Sequence, residues 1–316
     1  MNKSSESAGG PFVYRRRVGF GECDAARIYF APRAVDYAVE AVEAWFDAEA
    51  GISWSALPRE RGVEPAFSRV ECEFLAPLVA GQTIGVRLAV LSCDGTTIRF
   101  LAEGGEDPAE PSIRLRLDFC LQAACGEPVP LPREILDRVE AYRLRCGGAE
   151  PTREGPRPAG DRVIPPEGAS PFLRSRRVVY GECGPGGTVY PPKILEYVIE
   201  AIGEWFEEVP GISWTDLIAK RGQGAPWVVA ACDYLRPVAC GSAVSIGVRV
   251  DRVGKSSVGF AVTGEVGGQP CFEARLTSCF IDREFRPMPV PEEFRGKIES
   301  FHAACEAAGK GRGGLP

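Results

Sequence analysis

Histidine is almost absent: the chain of 316 residues has one, His302, close to its C-terminus. That excludes a Ser–His–Asp triad, a His/Asp dehydratase pair and a His-rich metal site. His302 itself reads as a surface residue of a terminal helix. No apolar run approaches the length needed to span a bilayer. The start, MNKSSESAGG, has no apolar h-region, so no secretory signal is expected and the location expected is cytoplasmic, with no membrane partner. No Cys-x-x-Cys pair is present for zinc or redox work. Positive charge is not in excess either: the net charge of −6 argues against a nucleic-acid partner.

What is present is ordinary globular composition, 45% hydrophobic and 25% charged, in a chain long enough for two cores. Twelve cysteines are many, but not a disulfide framework at this length. Cys23/Cys183, Cys72/Cys232 and Cys120/Cys279 occupy matching places in the two halves, and the reading is small buried hydrophobes.

The halves repeat one another. From Gly21 to Thr83, an offset of 160 aligns them without a gap, with 20 of 63 positions identical, so the gene was duplicated and fused. The match resumes, after a two-residue insertion, at Ile84–Arg87 against Ile246–Arg249, and ends at Glu127–Pro132 against Arg286–Pro291. In each half, a strand and a turn feed Pro32 (Pro192) and then a long helix. Val35, Ala38, Val39, Val42, Trp45 and Phe46 form one apolar stripe at helical spacing. A short helix over 53–61 stops at Gly62. Strand patterns follow at 66–75, 83–92, 97–103 and 112–123, suggesting an antiparallel meander. A helix over 132–146 closes the half. Phe12–Phe20 reads as a strand whose Arg15, Arg16 and Arg17 protect a solvated edge or, as the weaker reading, contact an acidic partner. The expected organisation is a disordered leader (1–11), a first domain (12–146), a Pro/Gly-rich linker (147–170), a second domain (171–305) and a disordered tail (306–316). Helix plus antiparallel strands makes each half an α+β unit, and the pair is expected to form an internal pseudo-dimer.

The stretch Gly21–Pro32, GECDAARIYFAP, followed by the helix, resembles the signature of the 4-hydroxybenzoyl-CoA thioesterase-like family, which has the hotdog fold. The resemblance extends over both halves, similar to a double hotdog. It implies that Asp24 attacks the thioester carbonyl or activates water, and that the Ala31 backbone N–H donates to the oxyanion. The physics agrees, because a helix N-terminus offers unpaired N–H groups and a carboxylate can act without histidine. Gly184 and Pro191 stand at these two places in the second half, so one working site per chain is expected, at the interface of the repeats. The family's glycine after D-x-x is Arg27 here, while the second half keeps Gly187. Arg27 then pairs with Asp24, binds a carboxylate of the substrate, or points to solvent. By the same resemblance Arg252 and Lys255 contact CoA phosphates; the other reading is an ordinary solvated hairpin. Gln223 and Trp227 line the acyl pocket, or Trp227 belongs to the core. Tyr29 is a minor catalytic candidate, and Asp24 could simply be a turn residue.

Three functions remain open on the sequence. The first is hydrolysis of an acyl-CoA or acyl-carrier-protein thioester, with no metal or redox cofactor beyond the CoA or phosphopantetheine of the substrate. The second is an acyltransferase, decarboxylase or cyclising enzyme on the same scaffold. The third is a non-catalytic acyl-thioester binding protein. Abundant Arg, Ala, Gly and Pro suit a GC-rich bacterial genome and a place in polyketide or other secondary metabolism. A further homodimer is compatible with all three.

Overall fold

The computed structural model describes residues 4–6, 10–107, 109–123, 126–146 and 172–310. The expected linker and most of the leader and tail lie outside these residues. Two compact units divide the chain, one for each repeat except that Gly184–Gly186 fall in the first.

In the first unit, strands β1 (Ser4–Glu6), β2 (Val13–Arg17), β3 (Val63–Phe74), β4 (Thr83–Cys93), β5 (Thr97–Gly105) and β6 (Ile113–Ala123) form an antiparallel sheet. The spatial order is β1-β2-β4-β5-β6-β3, and the short β7 (Pro128–Val129) pairs with β6. Strands β4, β5 and β6 are the expected meander, but β3 crosses over to pair with β6 instead of β4. Helix α1 (Arg33–Trp45) lies on the sheet, and every residue of its expected stripe is buried to 1% exposure or less. It widens into a π-type turn over Phe46–Ala50 and stops at Gly51, whose φ of 68° is the left-handed cap that glycine allows. The short α2 (Leu57–Arg61) and the closing α3 (Arg133–Arg145) follow. The hydroxyl of Tyr142 ties α3 to the sheet by donating to Leu88 O at 2.7 Å and accepting from Phe12 N–H at 2.9 Å.

The second unit repeats this with β8 (Phe172–Arg177), α4 (Pro191–Glu208), α5 (Trp214–Arg221), β9 (Trp227–Tyr234), β10 (Ala243–Val253), β11 (Ser257–Val266), β12 (Gln269–Cys279) and α6 (Glu292–Lys310). Its strand order is β9-β12-β11-β10-β8. The pattern of one long helix against an antiparallel sheet, twice, is the tandem hotdog arrangement.

Three expectations need correction. Ser4–Glu6, placed in a disordered leader, pairs with β2, because that strand offers an unpaired backbone edge. Residues 306–310, placed in the tail, continue α6, as alanine and glutamate at Glu306, Ala307 and Ala308 favour. The two-residue insertion before Ile246 does not exist in the sheet. Val86 faces Gly104 and Ile246 faces Gly264, and the bulges between Val90 and Ser92 and between Val250 and Arg252 coincide at the offset of 160. The offset becomes 159 only after β11, since Thr97 pairs with Cys120 but Ser257 with Cys279. A strand shifted by two residues keeps the same in–out alternation, so a short identity can match out of register.

Candidate active site

The turn between β2 and α1 is organised by Glu22. Its carboxylate bonds Arg16 on β2, accepts from Gly19 N–H at 2.6 Å, and accepts from the Tyr37 hydroxyl of α1 at 3.2 Å. Arg16 also bonds Glu40 and stacks 4.1 Å over the Tyr37 ring. Strand, turn and helix are therefore latched by one carboxylate. Arg16 is no solvated edge residue; the sequence reading missed the latch, and its one signal was that Arg16, Glu22, Tyr37 and Glu40 recur as Arg176, Glu182, Tyr197 and Glu200. In the second unit Glu182 likewise bonds Arg176, Val179 N–H at 3.0 Å and the Tyr197 hydroxyl at 2.7 Å.

Asp24 follows the latch. Its N–H donates to Ile28 O and its own carbonyl accepts from Arg27 N–H, both at 2.9 Å, which closes a tight loop. One carboxylate oxygen accepts from Ala26 N–H at 2.8 Å. The residue as a whole is exposed, yet the carboxyl loses part of its hydration to the surrounding protein. That loss raises its pKa above the ordinary aspartate value, against the opposing pull of the Ala26 and Ile28 amides. Arg27 contributes nothing to this shift and forms no ion pair with a described residue. Of the three readings of Arg27, the pair with Asp24 is absent, and Arg27 is exposed. Its φ is 65°, the left-handed conformation that Gly187 adopts at 75° in the second unit.

The loop returns through Tyr29, whose N–H donates to Leu78 O at 2.8 Å, and Phe30, whose N–H donates to Glu22 O at 2.8 Å. Tyr29 is 5% exposed, and burial raises its hydroxyl well above the ordinary tyrosine value, so it stays neutral. The N–H of Ala31 lies in the turn that leads into α1, just before the Pro32 cap, and has no acceptor among the described residues. It carries the partial positive charge of a helix start. In the second repeat, Gly184 replaces the carboxylate and Pro191 is the first residue of α4, without an N–H to offer. The latch persists there; the reactive pair does not.

Arg252 and Lys255 are exposed at the β10–β11 turn. Asp251, the bulge residue beside Arg252, has a carboxyl raised by burial and opposed by Arg275, Arg252 and His302. Arg295 of α6, not singled out in the sequence, reaches this turn and donates to Gly254 O at 3.1 Å and Lys255 O at 2.8 Å. The matching first-unit turn is closed by Asp94, which accepts from Thr96 and Thr97 amides and whose pKa these bonds lower. Trp227 is a core residue, 9% exposed and edge-on to Phe260. The Gln223 side-chain oxygen is buried without a hydrogen-bond partner among the described residues. His302 is not a free surface residue: its Nδ1 lies 2.9 Å from Val250 O, where α6 packs on β10. Cys72 and Cys232 are buried as expected, whereas Cys23 and Cys183 are half-buried.

No helix is long and apolar enough to cross a membrane among the described residues. No curated protein matches the chain. Among solved structures, one described as an oleoyl thioesterase from Lactobacillus plantarum aligns with a TM-score of 0.65 and 13% identity, covering 92% of this chain and 98% of that one. The 12:0-ACP thioesterase from Umbellularia californica aligns at 0.64 and 12% identity, covering 87% and 94%. An acyl-ACP thioesterase from Bacteroides thetaiotaomicron aligns at 0.61 and 12%, covering 84% and 96%. At these identities the likeness is one of fold. A family model described as the thioesterase-like superfamily matches residues 178–298, the repeat without the carboxylate. The chain as a whole thus has the tandem hotdog fold, and its second unit carries the sequence pattern of the thioesterase-like superfamily.

Proposed function

We propose that the protein is a thioester hydrolase acting on an acyl-CoA or acyl-carrier-protein thioester, with its chemistry at the Asp24 turn. The observation that carries this is the contrast between the repeats. The first has a carboxylate and an acceptor-free helix-start N–H in one turn; the second keeps the turn and lacks both. The thioesterase names borne by the structural neighbours and by the family model point the same way.

In this mechanism Asp24 attacks the thioester carbonyl or takes a proton from the attacking water, and the Ala31 N–H donates to the oxygen as negative charge develops. Partial desolvation makes the Asp24 carboxylate a better base than one in water. Tyr29, neutral and buried, is restricted to positioning. Arg27, free of ion pairs with the described residues, is available to a carboxylate on the acyl group. Arg252 and Lys255 serve the phosphates of the carrier moiety. The test is free-thiol release from a panel of acyl-CoA and acyl-carrier-protein thioesters by wild type and Asp24→Asn. Asparagine keeps the acceptor for Ala26 N–H, so the loop is preserved while the carboxylate is lost. Release abolished by this change supports the assignment; undiminished release refutes it.

One observation favours a second reading, a binding protein without turnover. The Asp24 carboxylate already has a structural partner in the Ala26 amide. Saturable acyl-thioester binding with no release by wild type would establish that reading.

A further inference from the structure

The turn of the second repeat has no carboxylate of its own, yet one lies against it. Gly184–Gly186 belong to the first unit, as β3 does. Glu64 is the second residue of β3, opposite Gln122 of β6. Its side chain runs to the glycine turn. A methyl group on Gly186 would meet the Glu64 carboxyl carbon at 3.0 Å and its oxygens at 3.1 and 3.2 Å. That is closer than van der Waals contact, so a side chain at this position would push the carboxyl aside. The Gly186 backbone is not left-handed, so its conformation does not require glycine; the room left for Glu64 does. In the first repeat Ala26 stands at the matching position, and its N–H donates to Asp24. The Gly186 N–H has no acceptor, and the Glu64 carboxylate has no hydrogen bond or ion pair, among the described residues. Loss of hydration, with no bond to oppose it, raises the Glu64 carboxyl above the ordinary glutamate value. At the offset of 160, Glu64 corresponds to Gly224, just as Asp24 corresponds to Gly184. The first repeat therefore holds both carboxylates, one in its own turn and one against the turn of the second.

We propose that Glu64 and the Gly186 N–H form a second, slower centre for thioester hydrolysis, resting on the reaction proposed for the Asp24 turn. The Gly186 N–H donates to the carbonyl oxygen of the thioester as negative charge develops there. Glu64 takes a proton from a water molecule while the water oxygen bonds to the carbonyl carbon. The carbon–sulfur bond then breaks, and Glu64 returns the proton to the departing thiolate. One water and one thioester become one carboxylic acid and one free thiol, and Glu64 ends as it began. A carboxylate with no structural partner is free to accept that proton, whereas Asp24 already holds the Ala26 N–H. The helix-start donor that Ala31 supplies to the first centre is no part of this one, so its rate is about 10²–10³-fold lower.

The test is thiol release by the full chain on a panel of acyl-CoA and acyl-carrier-protein thioesters, with Asp24→Asn as the background that silences the first centre. This variant should keep about one part in 10²–10³ of the wild-type rate, above the rate without enzyme. Adding Glu64→Gln should bring release down to the rate without enzyme. Adding Gly186→Ala instead should lower it too, by displacing the carboxyl. Alanine is already the residue in the matching first turn, so this second variant keeps the fold. Asp24→Asn at the rate without enzyme overturns the second centre and leaves the first standing. Residual release that both added changes leave untouched also overturns it. No release by wild type overturns the hydrolase assignment, and the second centre with it.

Discussion

Arg27 and Gly187 hold the same left-handed backbone position in their repeats, at φ values of 65° and 75°. Glycine adopts this conformation freely, whereas a residue with a Cβ pays about 1 kcal/mol for it. Strain of this kind points to a role for the side chain. Arg27→Gly is therefore expected to leave stability equal or raise it by up to about 1 kcal/mol, roughly 2–4 °C in melting temperature. Under the proposed function it should also lower kcat/KM for malonyl-type thioesters relative to acetyl. Thermal melts and steady-state kinetics on the two substrates check both parts. An unchanged malonyl-to-acetyl ratio removes Arg27 from substrate recognition.

Asp24 gives a pH prediction with a defined sign. Its folded pKa lies above the ordinary aspartate value. The fold therefore favours the protonated acid, and this contribution to stability is lost as pH rises through the raised pKa. At neutral pH the ionised carboxylate costs stability, so Asp24→Asn should be at least as stable as wild type there while losing turnover. The acid limb of kcat/KM should sit above the ordinary aspartate range, because the carboxylate is the active form. Parallel pH profiles of activity and of denaturant stability would show it.

The helices and strands were legible because their signals are periodic: the α1 stripe from Val35 to Phe46 is buried residue for residue. The candidate site was legible at Asp24 and Ala31 because the repeats differ there in two residue types with plain chemical consequences. The Glu22 latch was not, since its members lie on a strand, a turn and a helix and meet only in three dimensions. The register of β10 was misread because a two-residue slip leaves no trace in the alternation. A similar blind spot covers the sheet of the first unit. There Arg114 joins Glu103 at 2.9 Å and Glu73 at 3.3 Å, with Arg87 and Arg116 beyond, and all three central groups are buried. Charged residues on alternate strand positions read as a wet face; full mutual pairing lets them be covered.

The latch separates structure from chemistry. Glu22→Gln and Glu182→Gln each weaken a charge-assisted set of bonds to an arginine, an amide and a tyrosine, at an expected cost of about 1–3 kcal/mol. The stability losses should be similar, because the partners are the same. Activity should fall far more for Glu22→Gln, whose turn carries Asp24. Equal losses of kcat/KM in the two variants would break the assignment of the chemistry to the first repeat.

The sharpest test of the oxyanion donor is Ala31→Pro. Proline removes the N–H and nothing else that the helix start requires, because the first-turn amides of a helix have no intrahelical partner. The second repeat shows that the backbone accepts it: Pro191 and Pro192 open α4 where Ala31 and Pro32 precede α1, after a Tyr190 in the extended conformation that a following proline demands. Stability should therefore change little. Turnover should drop about 10²–10³-fold, the usual loss for one oxyanion donor. KM should move less than kcat, since the bond strengthens as charge develops on the oxygen. Full turnover with proline at this position would place the oxyanion donor elsewhere in the loop.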